Sequence, residues 1–434
     1  MLPVNTGGHS TYQNFVVKNL RKYYPNPDAL SRSTWDIIDR FWNLDLSYTD
    51  ELMRSRYSVF GPRPRTPSCM QRSYLLSIDF KVTSLTDWAA QLKINPLYAI
   101  LSGFEVGDTP GVGTFYDFLN RLWDSDSDNL NPHVRPVKSK EIKKPKQKGA
   151  KAESVEKTTV EQLLKTLEQK SFSIDEQPYG SLFRLYQKEF LEQSVKRELI
   201  TPESLAVAGD GTPVMTSHRE RRKRICDCAE KGITDCKCDR YFSQPDCDIG
   251  WDSSRDCFYH GYGLYMIVAS DSDSDLPVFP LLNPASKHDS HGFLETYFRM
   301  KSFLPDFHVN KWLLDSAHDA MPYYLYCRKN GCSCEHPCSD SKYGRTVHLA
   351  MKDNPRLINF PPRDSEAWKK EYDARTSAER SNKREKIDFK LEDGRHRSTK
   401  MWYCHLYHIL MLQHMDAWDL PFESTLRKLI LNVA

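Results

Sequence analysis

The sequence has no apolar run long enough to cross a bilayer, and its first residues are not expected to act as a secretory signal. Its longest apolar runs lie at 264–269 and 408–412, far short of the roughly 20 residues that a transmembrane helix needs. The N-terminus, MLPVNTGGHSTYQNF, lacks a basic segment followed by an apolar stretch. We therefore expect an intracellular, cytoplasmic protein without a membrane partner.

The chain also has little net charge. It carries +3 at pH 7 over 434 residues, although 27% of the residues are charged. A polyanionic partner would therefore have to be recognised by local basic clusters rather than by overall charge. A chain of this length is expected to form two or three domains, one of them large enough to contain a substantial sheet.

Changes in pattern divide the chain into four segments. The first has apolar residues at three- and four-residue spacing, as in TWDIIDRFWNL, and is predicted to be a helical domain. A lysine-dominated linker follows, which lies either over a polyanion or in water, and then amphipathic connecting helices. The predicted segments are the helical domain 1–130, the linker 131–157, the connecting helices 158–200 and a domain at 201–425 with cysteine-rich insertions at about 218–257 and 327–345.

After Pro202 the helical periodicity gives way to five short apolar runs that are typical of strands. Helical patterns follow the third run, over 292–304, and the fifth, from about 366 to 391. Strands joined without helices favour antiparallel pairing, and strands joined through a helix favour parallel pairing. We therefore expect an α/β domain in which a mixed five-stranded sheet is flanked by helices. The predicted strands are 204–210, 263–270, 276–282, 311–316 and 346–351.

Two aspartates are predicted at the ends of strands. Asp210 is followed by Gly-Thr-Pro, which is expected to stop the strand and expose the carboxylate at the edge of the sheet. Asp315 closes the fourth apolar run and precedes a turn into a helix. Each also fits an ordinary turn or cap aspartate. Asp319 is a rival for Asp315, which we favour because it ends the strand.

A third acidic residue, Glu379, is predicted to share one helix face with Tyr372, Arg375 and Lys386. At about 100° per residue the four side chains fall within roughly 60° of arc. The alternative is a salt-bridged surface helix, because Arg375 and Glu379 are four residues apart. Three carboxylates suit two magnesium or manganese ions about 4 Å apart, an arrangement that cleaves phosphodiesters. The two basic side chains would hold phosphates, and the tyrosine would stack on a base or bond a phosphate.

The stretch YDARTSAERSNKREK, with its Y-x2-R-x3-E-x6-K spacing, resembles the signature of DDE transposases of bacterial insertion sequences. RTSAERSNKREKIDFKLEDGRHRS and the downstream QHMDAW are similar to the C-terminal catalytic segment of a cysteine-containing branch of that group. AVAGDGTPV and LLDSAHDA resemble the first two aspartate motifs, and GTFYDFLNRLW resembles the N-terminal helical region. The likeness extends from about residue 10 to residue 420.

This resemblance implies a ribonuclease-H-like core in which Asp210, Asp315 and Glu379 are catalytic and hold two Mg²⁺ or Mn²⁺ ions. It implies that the other three signature residues handle phosphates at the ends of the element. The expected activity is metal-dependent cleavage at these ends and strand transfer into target duplex DNA. We expect a dimer on DNA in the bacterial nucleoid, with end recognition by the helical domain 1–130. The alternatives are a metal-dependent nuclease without strand transfer and a non-catalytic, transposase-derived DNA-binding protein.

Eight of the twelve cysteines fall into two groups. In a reducing compartment such groups indicate metal binding rather than disulfides. Each group can make a tetrahedral structural zinc site, the two can share one site, or all eight can be reduced thiols in loops. His336 is available as a substitute ligand in the second group, and the other four cysteines are predicted core thiols. The groups are Cys226, Cys228, Cys236 and Cys238, and Cys327, Cys332, Cys334 and Cys338; the core thiols are Cys69, Cys247, Cys257 and Cys404.

A basic run, HRERRKR, directly precedes the first cysteine group. Its five basic residues are natural contacts for DNA phosphates, which would give sequence-independent and salt-sensitive affinity. A solvated loop is the alternative. The predicted phosphate contacts in this run are Arg219, Arg221, Arg222, Lys223 and Arg224.

Overall fold

The computed structural model describes residues 8–26, 30–58, 60–61, 63–136, 159–216, 222–234, 236–329, 361–362, 365–394, 396–418 and 425–431. The α-helices of this part are α1 (Gly8–Tyr23), α2 (Arg32–Asn43), α3 (Ser47–Met53), α4 (Pro67–Asp79), α5 (Leu85–Ile94), α6 (Pro96–Ser102), α7 (Val112–Arg121), α8 (Val160–Glu168), α9 (Gly180–Tyr186), α10 (Glu192–Lys196), α11 (Asp289–Phe303), α12 (Met321–Lys329), α13 (Glu366–Asp373), α14 (Thr376–Lys383), α15 (Thr399–Ala417) and α16 (Thr425–Leu431). The strands are β1 (Val134–Arg135), β2 (Leu205–Met215), β3 (Arg222–Arg224), β4 (Arg240–Phe242), β5 (Asp248–Asp252), β6 (Cys257–Ala269), β7 (Leu276–Pro284) and β8 (Val309–Leu313).

One compact unit is helical and is assembled from three separate stretches of the chain, Met1–Asn129, Ile174–Ile200 and Ser381–Ala434. Its central helix is α15, which is buried on all sides. A helix without a polar face must be enclosed by others, and α4, α7 and α9 pack against it. The sequence analysis assigned 174–200 to connecting helices and most of 381–434 to the sheet domain, whereas both stretches belong to the helical unit.

The predicted helices of this unit are confirmed. TWDIIDRFWNL lies in α2, whose N-terminus is capped by the Ser31 side chain, and GTFYDFLNRLW lies in α7. The segment that contains α9 and α10 is helical as predicted, but a π-helical turn at Gln187–Leu191 separates the two α-helices. No helix in the described ranges is both long and apolar enough to span a bilayer.

The second compact unit comprises Leu130–Ser173 and Thr201–Arg380 and contains a mixed five-stranded sheet. The strand order is β5-β6-β2-β8, and β7 also pairs with β6. The β2–β8 pair is parallel, and the other pairs of this sheet are antiparallel. β6 is long enough for β5 to pair with its first part and β7 with its second part on the same side. The predicted α/β class and the mixed sheet flanked by helices are confirmed.

Four of the five predicted strands are present, as β2, β6, β7 and β8. The predicted fifth strand, 346–351, lies outside the described residues. The fifth strand observed is β5, which the sequence analysis placed inside a cysteine-rich insertion. That insertion also contributes β3 and β4, which form a small antiparallel sheet with β1 in the order β1-β4-β3.

The prediction that Asp210 ends its strand is wrong. β2 continues to Met215, and Gly211 to Met215 pair in register with β6. β8 pairs with β2 only as far as Ala208, so no described strand pairs with the second half of β2 on that side. Pro213 is accommodated there because an edge strand does not need every backbone N–H in a ladder. Asp210 is therefore a mid-strand residue.

Candidate functional site

The first cysteine group forms a tight cluster. The Sγ atoms of all four residues lie within 4.8 Å of one another. Two of these separations, Cys226 to Cys236 and Cys228 to Cys238, are 3.6 Å. A tetrahedral zinc site with Zn–S bonds of about 2.3 Å has sulfurs about 3.8 Å apart, whereas a disulfide bond measures about 2.05 Å. The four cysteines are therefore free thiols at a spacing that can hold a metal such as zinc.

Arg240 supplies a positive charge beside this cluster. Its Nη2 donates to Cys236 Sγ at 2.9 Å, and its Nη1 donates to the Cys238 carbonyl at 2.6 Å. The guanidinium lowers the pKa of Cys236 to about 7, whereas hydrogen bonding with Cys238 raises the pKa of Cys228 to about 12. Since thiolate is the metal-binding form, a bound cation such as zinc would favour ionisation of the sulfurs.

The cluster closes a loop that carries an exposed basic strand. Cys226 follows β3, whose Arg222, Lys223 and Arg224 are all exposed. The loop returns through the other cysteines to β4, which pairs with β3. Phe242 of β4 lies beneath the guanidinium groups of Arg135 and Arg222, at 4.4 and 5.6 Å from the ring centroid. A metal at the cysteines would therefore stabilise a basic surface. Arg219 and Arg221 lie outside the described residues.

The second cysteine group falls largely outside the described residues. Only Cys327 is described, as an exposed residue of α12. The other members, Cys332, Cys334, Cys338 and the substitute ligand His336, lie at positions that the structure does not describe. Among the predicted core thiols, Cys247 and Cys404 are buried, while Cys69 and Cys257 are partly exposed.

Asp210 lies on the face of the sheet opposite the one that α11 covers. Side chains alternate along a strand, so Asp210 lies opposite the face of its neighbour Gly211. A Cβ at Gly211 would lie 2.2 Å from Asp289 Oδ1, which shows that α11 covers that other face. Lys311 of β8 is aligned with Ala206 and so shares the Asp210 face. Its Nζ lies 2.8 Å from Glu371 of α13.

Asp315 follows β8 and opens a short 3-10 helix, Ser316–His318, as predicted. Its side chain accepts from the Ala317 amide at 3.0 Å and lies 2.6 Å from His318 Nδ1. The hydrogen bond with His318 lowers the pKa of Asp315. Asp315 lines a cavity of about 570 Å³ together with Asp319, Trp368 and Tyr372. The walls of this cavity therefore include both Asp315, the predicted second catalytic aspartate, and Tyr372 of the signature.

The four signature residues do not lie on one regular α-helix, so that prediction is wrong. α13 ends at Asp373 and α14 begins at Thr376, and at Arg375 the backbone N–H bonds the carbonyl three residues back. Lys386 lies in a π-helical turn, Arg384–Asp388, where the 100° step no longer holds. Lys386 belongs to the helical unit, where its Nζ is 3.6 Å from Glu392.

The other three signature residues are close together. Arg375 Nη1 lies 3.0 Å from Glu379 Oε1, the ion pair that the alternative interpretation expected. The Arg375 guanidinium is also 5.3 Å from the Tyr372 ring centroid. Tyr372 in turn stacks on Trp368 at 4.8 Å. The Glu379 side chain is 51% exposed, so a ligand can reach it.

The three predicted catalytic carboxylates do not form a single-ion cage. Within the described ranges, the four cysteines are the one group of three or more acidic, histidine or cysteine side chains with ligand atoms mutually within 4.8 Å. The charges of residues in this region nevertheless affect one another's pKa values in two places. The hydrogen bond with His318 is the main cause of the lowered pKa of Asp315, and the charge of Arg375, the partner of Glu379, adds a smaller effect in the same direction. Burial, and then the charges of acidic residues that include Asp210 and Asp315, raise the pKa of Tyr265.

Sequence reasoning missed three residues near Asp315, namely Tyr265, Asp289 and His318. Asp289 lies against Gly211, and burial raises the pKa of its carboxyl group. His318 is buried between Asp315 and Tyr265. No sequence motif contains these side chains together, because they come from three elements. Tyr265 lies in β6, Asp289 in α11 and His318 in the segment after β8. The available signal was the position of His318 three residues after Asp315.

Comparison of the chain with family models, with curated protein sequences and with solved structures found no match.

Proposed function

We propose that this chain is a DDE-type DNA transposase that cleaves DNA at the ends of an insertion sequence and joins them to target DNA. In this proposal the core is ribonuclease-H-like, and Asp210, Asp315 and Glu379 are the catalytic carboxylates. The protein acts on duplex DNA as a dimer. The sequence signature that contains Glu379 suggested this function, and the arrangement of the sheet supports it.

The main support is the relation between β2, β8 and the signature helices. β2 and β8 are adjacent and parallel. β2 contains Asp210, and β8 leads into Asp315. α13, which leads into the segment with Arg375 and Glu379, is tied by an ion pair between Glu371 and Lys311 to the sheet face toward which Asp210 points. Arg375 connects Glu379 and Asp315 by charge. Carboxylates from three distant parts of the sequence are thus collected in one unit.

The donor set fits hard divalent ions, because carboxylate oxygen suits magnesium and manganese. Two such ions, when bound, would supply an activated nucleophile and would stabilise charge on the leaving oxygen. The protein would contribute the ligands Asp210, Asp315 and Glu379. Arg375 offers a planar fork for a phosphate next to the scissile bond, and the exposed Tyr372 ring offers a stacking surface for a base.

The experiment is a cleavage and joining assay with duplexes from the DNA that flanks the chain's own coding sequence, in Mg²⁺. We expect the wild type to cut these ends and join them to a second duplex. Asp210→Asn, Asp315→Asn and Glu379→Gln should each abolish cleavage while DNA binding survives. Asp319→Asn is the matched control and should remain active. Cleavage by all three variants would contradict the proposal, and cutting without joining would favour a nuclease.

A second candidate is a non-catalytic DNA-binding protein organised by the four-cysteine cluster. One observation favours it: the cysteine sulfurs converge to metal-binding distance, whereas the three carboxylates do not. This candidate predicts DNA binding that depends on the four cysteines and survives loss of the three carboxylates, and no nicking in Mg²⁺ or Mn²⁺. The same assay therefore separates the two functions.

A further inference from the structure

A chain of two hydrogen bonds connects Asp315 to the centre of the sheet. Asp315 Oδ1 is 2.6 Å from His318 Nδ1, and His318 Nε2 is 2.8 Å from the Tyr265 hydroxyl. His318 is 4% exposed and Tyr265 is 2% exposed. The His318–Tyr265 link is therefore shielded from water, which makes it stronger than a surface hydrogen bond, whereas the Asp315 side chain at the other end is 35% exposed.

The chemistry of the three groups sets the direction of these bonds. Burial raises the pKa of Tyr265 well above its usual value, so the hydroxyl keeps its proton. An ionised carboxylate can only accept, so a neutral His318 imidazole donates to Asp315 from Nδ1. Nε2 is then the unprotonated nitrogen and accepts from the Tyr265 hydroxyl. The tautomer of His318 is thus set by its bond to Asp315, and Tyr265 satisfies the second nitrogen.

The surrounding backbone makes room for this arrangement. A Cβ at Gly209 of β2 would lie 2.8 Å from the Tyr265 hydroxyl oxygen. A Cβ at Gly292 of α11 would lie 3.0 Å from the Tyr265 ring. Glycine at both positions therefore lets the tyrosine cross the sheet and reach His318.

Asp315 is held through one of its oxygens. Both the Ala317 amide and His318 Nδ1 bond to Oδ1, which leaves Oδ2 outside both bonds. We propose that His318 is a positioning residue, which accepts from Tyr265 at Nε2 and donates to Asp315 from Nδ1, and which thereby holds Asp315 so that Oδ2 can ligate a divalent ion. This inference rests on the proposed function. His318 itself is not a ligand, because both of its nitrogens are already bonded.

The first test measures the tautomer and does not depend on catalysis. Long-range ¹H–¹⁵N correlation spectra of histidine-labelled protein should show His318 protonated at Nδ1. Tyr265→Phe removes the donor to Nε2 but leaves the Asp315 acceptor, so the Nδ1–H form should persist, whereas Asp315→Ala removes that acceptor and should let the Nε2–H form appear. An Nε2–H tautomer or an imidazolium in the wild type would overturn the inference, whether or not the protein cleaves DNA.

The second test measures the Mg²⁺ concentration that gives half-maximal cleavage. Losing a group that orients a metal ligand typically costs 10–100-fold in metal affinity, so His318→Ala should raise this concentration by about that factor. His318→Gln keeps an N–H donor and should recover part of the loss, and His291→Gln is the histidine control. If His318→Ala lowers the thermal midpoint but leaves the Mg²⁺ dependence unchanged, the role is only structural and the inference is wrong. A wild type that never cleaves would instead contradict the proposed function.

Discussion

Arg375 forms an ion pair with Glu379, with Nη1 and Oε1 3.0 Å apart. In this position the Arg375 guanidinium competes with a metal ion for the Glu379 carboxylate, which is proposed to bind metal. A DNA phosphate can attract Arg375 away from Glu379, because arginine binds phosphate through the same planar fork. The ion pair therefore provides a way for DNA binding to release a metal ligand.

This relation predicts opposite effects of Arg375→Gln on two affinities. Without DNA, Mn²⁺ should bind up to roughly fivefold more tightly, since an ion pair at a protein surface contributes about 0.2–1 kcal/mol. DNA should bind more weakly, because one phosphate contact is lost. Mn²⁺ titration and fluorescence anisotropy measure the two effects. Arg380→Gln, which breaks the ion pair with Asp275, is the control, and weaker Mn²⁺ binding in Arg375→Gln would contradict the prediction.

The four-cysteine cluster should contain zinc in the purified protein. Cys236→Ser should lose the zinc of this cluster, because a structural site needs its four ligands. Arg240→Gln should keep the ligands but bind zinc about 10–100-fold more weakly, since a neighbouring group that orients a ligand has been removed. Elemental analysis and competition with a chelator measure these changes. Cys257→Ser is the control, and zinc-free wild-type protein would refute the prediction.

The basic strand β3 should contribute to DNA affinity without sequence preference. Each phosphate contact adds about 0.9 to the slope of log K against log salt. Arg222→Gln combined with Lys223→Gln should therefore lower the slope by about 2 and weaken binding equally for all sequences. Lys165→Gln removes an exposed charge that pairs with Glu161 and serves as the control. An unchanged slope in the double variant would show that β3 does not contact DNA.

The helical unit should lose stability as the pH rises toward 8. Glu189 and Glu385 are fully buried within π-helical turns, and burial raises the pKa of each from 4.5 to about 8. A carboxyl group with a raised folded-state pKa stabilises the fold fully below its unfolded pKa, and this stability is lost as the pH rises to the folded pKa. Between pH 6.5 and 8 each residue should therefore cost about 2 kcal/mol.

Denaturant unfolding of Glu189→Gln and Glu385→Gln at several pH values checks this expectation. Each variant should show a flatter dependence on pH than the wild type above pH 6.5. The window excludes the buried His396 and His408, whose pKa values are lowered to about 4 and which act at lower pH. Glu192→Gln is the control and should keep the wild-type dependence. Equal slopes in all four proteins would contradict the assignment.

The sequence allowed the central strands to be predicted but not the complete sheet. β6 and β7 are continuous apolar runs because they are buried, and such runs are recognisable without a structure. β5, DIGWD, is short and partly exposed, so it lacked that signal. The predicted end of β2 was wrong because Gly-Thr-Pro usually marks a turn, whereas in this protein the pairing with β6 keeps the strand extended.

The candidate site was predictable only in part for a related reason. Local patterns identified Asp315 and the Arg375–Glu379 pair, which depend on neighbours in sequence. Asp289 and Tyr265 reach the site through packing of α11 and β6 on β2, which no local pattern reports. The same limit explains why 381–434 was not predicted to join the helical unit.

The most direct test of the account is whether Asp315 binds the catalytic ion. A thiolate is a softer ligand than a carboxylate and accepts Mn²⁺ more readily than Mg²⁺. We predict that Asp315→Cys does not cleave flanking DNA in Mg²⁺ and regains measurable cleavage in Mn²⁺, while Asp319→Cys cleaves in both. Wild-type cleavage by Asp315→Cys in Mg²⁺ would contradict the claim that this carboxylate is a metal ligand.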